Sequence, residues 1–337
     1  MFNKVFIIAE AGVNHNGSLQ LAKQLVEAVI ESGAGAVKFQ TFKAEQVVSI
    51  TAKRAEYQKR NMPGKNESQL EMIKRLELGF EDFRELKKYC DQQKIIFLSS
   101  SFDLESVDFL DELDVPYFKI PSGEITNLPL LRRIGRKHKP VILSTGMATL
   151  GEVEEAISVL NKAGTENIIL LHCTTNYPTL PEEVNLRAMI TLKQAFGLPV
   201  GYSDHTMGFA VPVAAVALGA VVIEKHLTLS RQMEGPDHKA SLEPAEFKNM
   251  VESIQMIEKS LGDGRKKPTA DELQIMKVAR RSLVAARDIQ TGELITEDSI
   301  AIKRPGTGIS PMFLDIVIGR KARCNIPKET ILTWETI

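Results

Sequence analysis

Cysteine is scarce in this chain. Cys90, Cys173 and Cys324 are the only three in 337 residues, and no two form a CxxC pair. That excludes a disulfide framework and a thiolate zinc site, and it points to a reducing compartment. An excess of one charge is missing as well, with 42 Lys and Arg against 43 Asp and Glu. A chain built to hold nucleic acid needs clustered surplus cations, so that partner class is set aside. Small anionic substrates need only a few well-placed lysines and stay in play. No apolar run approaches the about 20 residues of a membrane span, so no membrane partner is expected. The opening MFNKVFIIAEAGVNHNG turns polar after a short apolar run, unlike a signal sequence. The expected location is cytoplasmic. No GxGxxG follows the first apolar run, which weighs against an open dinucleotide-binding sheet.

What is present is a repeated pattern: a short β-branched run ending in a polar residue. It occurs at Val5–Glu10, Ala36–Thr41, Ile95–Ser100, Tyr117–Glu124, Val141–Gly146, Ile168–Thr174, Val200–His205 and Val221–His226. Such runs read as strands buried on both faces of a parallel sheet. Helical periodicity fills most of the gaps. Leu19–Ser32 follows a candidate N-cap at Ser18, and Thr149 and Glu152 form a capping-box pair before a helix that stops at Gly164. Eight alternations over about 260 residues predict an α/β fold, a (β/α)8 TIM barrel. One connection, Lys43–Glu77, is polar and long for a βα loop, and it is expected at the catalytic face. Beyond residue 264 the pattern changes. The expected division is a barrel over 1–264, a linker over 265–277 and a small β-rich domain over 278–337.

Barrel chemistry collects at the carboxyl ends of the strands. Those ends carry Glu10, Lys38, Gln40, Ser100, Lys119, Ser122, Glu124, Ser144, Thr175, Ser203, His205, Glu224 and His226. His205 and His226 end consecutive strands and suit a labile divalent ion, or else two hydrogen-bonded core imidazoles. His172 is a weaker candidate, and His15 and His238 lie in loops at the same face. Lys38 and Lys119 sit inside apolar strands, where an unpaired ammonium is costly, so each must face an anion or a carboxylate. With the serines they suit a substrate carrying phosphate and carboxylate. A strand lysine also suits Schiff-base chemistry, for which Lys38, Lys119 and Lys225 all qualify. Glu10, Glu124, Glu224 and Asp237 offer acid–base groups for a polyhydroxylated molecule.

The segments IIAEAGVNHNGS, AVKFQTFKAE, FKIPSGEITNLPLL, ILSTGMATL, LHCTTNYPT, GYSDHTMGF, IEKHLTL, EGPDHKASLEP and KRPGTGISP, in that order, resemble the sialic acid synthase family. The resemblance implies a catalytic barrel with a C-terminal antifreeze-like (SAF) domain and a transferase that condenses phosphoenolpyruvate with a 2-acetamido sugar. It implies His205 and His226 as ligands of a divalent metal, Mn2+ first, with Mg2+ or Co2+ as alternatives. Phosphoenolpyruvate would lie on Lys38, Ser100, Lys119, Ser122, Ser144, Thr175 and Ser203, with Asn176 as a rival for Thr175. Glu10, Glu124 and Glu224 take the catalytic positions, and Tyr177, Asp237 and Arg304 bind the sugar. Arg304 would come from the partner of a domain-swapped homodimer. The acceptor expected from the sequence is N-acetylmannosamine, giving N-acetylneuraminate. The alternatives are 2,4-diacetamido-2,4,6-trideoxymannose, giving the legionaminate product, and then the pseudaminate precursor. A free-standing glycan- or ice-binding role for the last segment is a third class of reading.

Overall fold

A computed structural model describes residues 4–62 and 67–337. Eight strands, β1 (Phe6–Gly12), β2 (Ala36–Thr41), β3 (Ile96–Ser101), β4 (Phe118–Ile120), β5 (Val141–Ser144), β6 (Ile168–Cys173), β7 (Val200–Asp204) and β8 (Val222–His226), pair in chain order. All neighbours are parallel and β8 closes on β1, so this is a TIM-type barrel. The strand expected at Tyr117–Glu124 stops at Ile120. Pro121 has no N–H to continue the ladder, and Ser122–Glu124 forms a single 3-10 turn instead.

Alternation along each strand explains where polarity goes. Ile8, Ala36, Leu98, Ile142, Leu171 and Val222 make an apolar plug inside the barrel. Two residues further along the same strands stand Glu10, Lys38, Ser100, Ser144, Cys173 and Glu224. The plug therefore forms a dry floor beneath a polar rung. The opposite strand faces, including Ala9, Val37, Leu143, Leu170 and Ile223, pack against Leu25, Val29, Leu86 and Leu110 of the surrounding helices. Those helices start and stop as their sequences dictate. Ser18 accepts from Leu21 N, and Gly33 ends that helix in the left-handed conformation. Thr149 and Glu152 form a reciprocal capping box. No described helix is long and apolar enough to cross a membrane.

The described parts of the connection over 43–77 carry structure of their own. Helices Ala44–Val47, Glu56–Asn61 and Gln69–Leu76 lie within it, while residues 63–66 fall outside the described residues. Met62, Met72 and Leu76 pack with Val13 and Phe42 in a small apolar cluster of their own.

The chain divides into two compact units, residues 1–262 and 263–337. Within the second, β9 (Ser282–Ala285) pairs antiparallel with β10 (Ile300–Lys303) over a core that includes Leu283, Ile289, Ile295 and Ile326. The stretch expected as a linker is largely helical. Ala270–Ala279 is a helix, started by a capping box between Thr269 and Glu272 that the Lys- and Pro-bearing composition obscured.

Candidate active site

Strand register brings the charges of the polar rung together. Glu10 is beside Lys38 and Ser203 is beside Glu224 across neighbouring strands. Lys38 forms an ion pair with Glu10, donates to Ser100 Oγ at 2.9 Å and lies 3.7 Å from Glu224 Oε2. Lys119 Nζ lies 3.3 Å from Glu224 Oε1, which also accepts from Ser203 Oγ at 2.8 Å. All four charged side chains are buried, so each depends on the others. Burial works against the Glu224 carboxylate, yet Lys119 and Lys38 outweigh it and hold the group down to about 2. Burial also opposes the Lys38 ammonium, but Glu10 and Glu224 outweigh it and raise Lys38. For Lys119 burial prevails over Glu224, and its affinity for a proton falls. Burial likewise raises Glu10 against the pull of Lys38. Glu10 is thus the carboxylate of the rung that more readily takes a proton.

Beside this cluster lies a set of hydroxyls with few partners inside the protein. Ser122 Oγ accepts from Gly146 N at 3.0 Å and sits 3.0 Å from Cys173 Sγ. Thr175 Oγ1 is buried and has no hydrogen-bond partner. Asn176 is exposed and donates to Glu183 Oε2 at 3.0 Å. Of the two rivals, then, Thr175 faces the cleft and Asn176 faces away. Ser122, Ser144, Thr175, Lys38 and Lys119 border one cavity.

The imidazoles of His205 and His226 lie 5.5 Å apart between ring centroids, and Tyr177 packs 4.1 Å from His205. His205 Nδ1 donates to Thr174 O at 2.5 Å, which leaves Nε2 with the lone pair. His226 Nδ1 is buried without a partner. Burial lowers His205 to about 4 and His226 well below its ordinary value, so both rings are neutral at pH 7. Other histidines have structural roles. His172 Nε2 bonds Val184 O at 2.7 Å, and His238 is held between Thr228 Oγ1 and Asn16 Oδ1.

One candidate of the Schiff-base reading is removed by strand alternation. Lys225 points out of the barrel, fully buried, with Nζ 2.6 Å from Asp204 Oδ2. Tyr202 OH and Thr206 N donate to the other oxygen of Asp204, at 3.0 and 3.1 Å. This pair ties β7 to β8 directly behind the two histidines and does not border the cavity. Glu124 also stands aside from the cavity lining; it lies on the Ser122–Glu124 turn and accepts from Asn127 Nδ2 at 2.6 Å. Arg304 belongs to the second unit, where it is exposed and donates from Nε to Ala279 O at 2.9 Å. Glu10, Lys38, Ser100, Lys119, Ser122, Ser144, Thr175, Tyr177, Ser203, His205, Glu224, His226 and Asp237 all border the one cavity.

The sequence placed Gln40 at a strand end without giving it a role, and it missed Gly146 and the apolar character of the wall that the 43–77 connection supplies. Gln40 donates to Glu10 Oε1 at 3.3 Å, and its position two residues after Lys38 on β2 is the signal that places it on the same face. Gly146 leaves the space among Ser122, Cys173 and Thr175 open. Apolar side chains of the 43–77 connection form one wall of the cavity.

Comparison with known proteins agrees with this geometry. Residues 25–266 match the model of the NeuB family, and residues 280–337 match the SAF domain. The chain belongs to the NeuB family. It is 53% identical to an N,N'-diacetyllegionaminic acid synthase of Campylobacter jejuni, over 98% of this chain and 99% of that relative. It is 50% identical to a protein of the same description from Legionella pneumophila, over 98% of this chain and 94% of the relative. The N-acetylneuraminate-9-phosphate synthase of Homo sapiens is 35% identical, over 98% and 92%. Among solved structures, an N-acetylneuraminic acid synthetase from Leptospira borgpetersenii superposes with TM-score 0.72 at 37% identity, covering 81% of this chain and 90% of that one. The chain is therefore an enzyme of the sialic-acid type of synthase.

In this NeuB-family barrel Asp237 gives a direct pH test. Burial, then the charge of Glu10, raises its carboxyl to about 7. An unfolded aspartate titrates near ~3.9, so the folded state binds the proton more tightly. The sign follows: this contribution to stability is full below about pH 4 and is lost as pH rises towards 7. Asp237→Asn keeps the shape without the proton. Urea midpoints of the substrate-free protein should fall less between pH 5 and 7 in the variant than in the parent; equal slopes would count against a raised Asp237.

Proposed function

We propose that this chain condenses phosphoenolpyruvate with 2,4-diacetamido-2,4,6-trideoxymannose, releasing inorganic phosphate and N,N'-diacetyllegionaminate. The observation that carries the acceptor is the 53% identity over nearly full length to a protein of that activity, against 35% for the neuraminate-phosphate enzyme. It reverses the order in which the sequence ranked the acceptors, N-acetylmannosamine now coming second.

The geometry supports the chemistry as follows. Lys38 and Lys119 hold the carboxylate and phosphate of phosphoenolpyruvate, displacing part of their pairing with Glu10 and Glu224. Ser122, Ser144 and Thr175 donate to the phosphate oxygens. Carbon 3 of phosphoenolpyruvate bonds to the aldehyde carbon of the open-chain sugar, and water adds at carbon 2. The resulting tetrahedral centre loses phosphate by carbon–oxygen cleavage, leaving the 2-keto acid. Glu10, with the raised proton affinity, delivers a proton to the new alkoxide, while Gln40 holds its other oxygen. Asp237 and Tyr177 orient the sugar.

His205 and His226 fit a divalent ion. Both are neutral, one has its Nδ1 tied back to a carbonyl, and the other carries an orphaned buried nitrogen. No three His, Cys, Asp or Glu side chains gather as a metal cluster among the described residues, so further ligands would be water or substrate. A bound Mn2+, Mg2+ or Co2+ supplies polarisation of the sugar aldehyde. The homodimer in which Arg304 serves the partner's barrel is part of the proposal and rests on the KRPG resemblance.

The test is a panel of acceptors with phosphoenolpyruvate and Mn2+, read by phosphate release. The trideoxy diacetamido sugar should exceed N-acetylmannosamine in kcat/KM by at least about tenfold. Equal or reversed preference would overturn the acceptor assignment.

A further inference from the structure

The cavity is polar on its floor and apolar on one wall. The floor is the strand-end rung. The wall is made of Val13, Phe42, Val47, Met72, Ile73 and Phe102, drawn from the loops after β1, β2 and β3 and from two helices of the 43–77 connection. This wall is no accident of exposure. Met72 is 1% exposed, and the Gln69–Leu76 helix is fixed by the packing of Met72 and Leu76 against Val13, Phe42 and Met62, with Ile73, Val47 and Phe102 alongside. Asn61 Nδ2 donates to Pro236 O at 2.6 Å, which fastens the connection to the loop that carries Asp237. The wall and the polar side thus face each other across a fixed gap.

Among the described residues the 43–77 connection offers the cavity one polar side chain, Gln58, and its Oε1 already accepts from Ala55 N at 2.8 Å. A sugar hydroxyl turned towards the wall would lose its water without gaining a strong partner, and that costs free energy. A methyl there gains contact. The reacting aldehyde must lie at the floor beside the lysines and histidines, so the far end of the open-chain sugar reaches towards the connection.

We infer that the wall formed by Val47, Met72 and Ile73 reads carbon 6 of the acceptor and selects a methyl over a hydroxymethyl group. This rests on the proposed condensation and goes one step further: it assigns one part of the acceptor preference to named side chains. A hydrophobic pocket rejects an added hydroxyl only modestly, by up to about 100-fold, so the discrimination should be of that order and no larger.

The experiment compares 2,4-diacetamido-2,4,6-trideoxymannose with its 6-hydroxy counterpart, identical at carbons 2 and 4, by phosphate release. The parent should prefer the 6-deoxy sugar by about 10- to 100-fold in kcat/KM. Ile73→Thr, at a half-buried position, should shrink that ratio about five- to tenfold while leaving the KM for phosphoenolpyruvate unchanged. Met72→Gln, a deeper and riskier change, should act in the same direction. A parent ratio near one, or ratios unmoved in both variants, would overturn the assignment while leaving the proposed reaction intact. Failure of the parent to use either sugar would remove the reaction and this inference together.

Discussion

Gly146→Ala should raise the KM for phosphoenolpyruvate by at least about 100-fold while leaving the sugar KM near its parent value. The reason is steric and local. A Cβ at this position would meet Thr175 Oγ1 at 2.4 Å, Ser122 Oγ at 2.7 Å and Cys173 Sγ at 2.9 Å. The first two are hydroxyls assigned to the phosphate, so the methyl would fill the space in which they converge. Backbone strain does not enter, because Gly146 has no positive φ. Overpacking of this kind costs about 1–3 kcal/mol when neighbours shift, and the barrel as a whole tolerates that. A hundredfold loss corresponds to about 2.7 kcal/mol. Gly151→Ala supplies the control, since nothing lies within 4 Å of the added atom there. Initial rates against phosphoenolpyruvate, with the acceptor saturating, give the answer. A Gly146→Ala enzyme with parental KM would mean that the anion lies elsewhere in the cavity.

Why so much was readable in advance follows from the barrel itself. Strands buried on both faces must be apolar almost throughout, so a polar residue such as Glu10, Lys38 or Glu224 near a strand end is conspicuous. Alternation then sorts neighbours. Glu224 and His226 share the inner face, so Lys225 between them must face out, and it meets Asp204, which stands between Ser203 and His205 for the same reason. Counting by twos would have removed Lys225 from the lysines eligible for covalent chemistry. Other features have no such periodicity. Whether Thr175 or Asn176 turned inward depended on the path of a loop, and the openness at Gly146 depended on three side chains distant in sequence. The helix at Ala270–Ala279 was legible through Thr269 and Glu272, but its charged, proline-preceded surroundings masked the signal. The apolar wall was least legible, because the 43–77 connection reads as polar overall while Val47, Met62, Met72, Ile73 and Leu76 turn inward together. Under the proposal that this wall reads carbon 6, part of the acceptor choice lies where the sequence was least legible, and the sequence ranked the acceptors less well than it ranked the folds.

Lys119→Met should lower kcat/KM for phosphoenolpyruvate by about a thousandfold, and it separates two chemistries that a strand lysine can serve. Its lowered proton affinity, caused by burial, is what an amine nucleophile would need. Its surroundings favour the other role. Glu224, held ionised by the two lysines, lies 3.3 Å from Nζ and keeps Lys119 as an ion-pair partner. Losing a charge pair in a desolvated site costs about 2–5 kcal/mol, and a thousandfold loss, about 4 kcal/mol, falls in the upper half of that range. Methionine retains the length and apolar stem, so the cavity keeps its shape, and Glu224 still has Ser203 and Lys38. Under the condensation scheme no bond forms to Nζ. Borohydride added to the enzyme with pyruvate should therefore leave the mass of the peptide carrying Lys119 unchanged. Phosphoenolpyruvate labelled at the bridging oxygen should deliver that label to phosphate, because carbon–oxygen cleavage sends the bridging atom out with the leaving group. A trapped adduct on Lys119, or label retained in the ketone, would transfer the site to the Schiff-base mechanism.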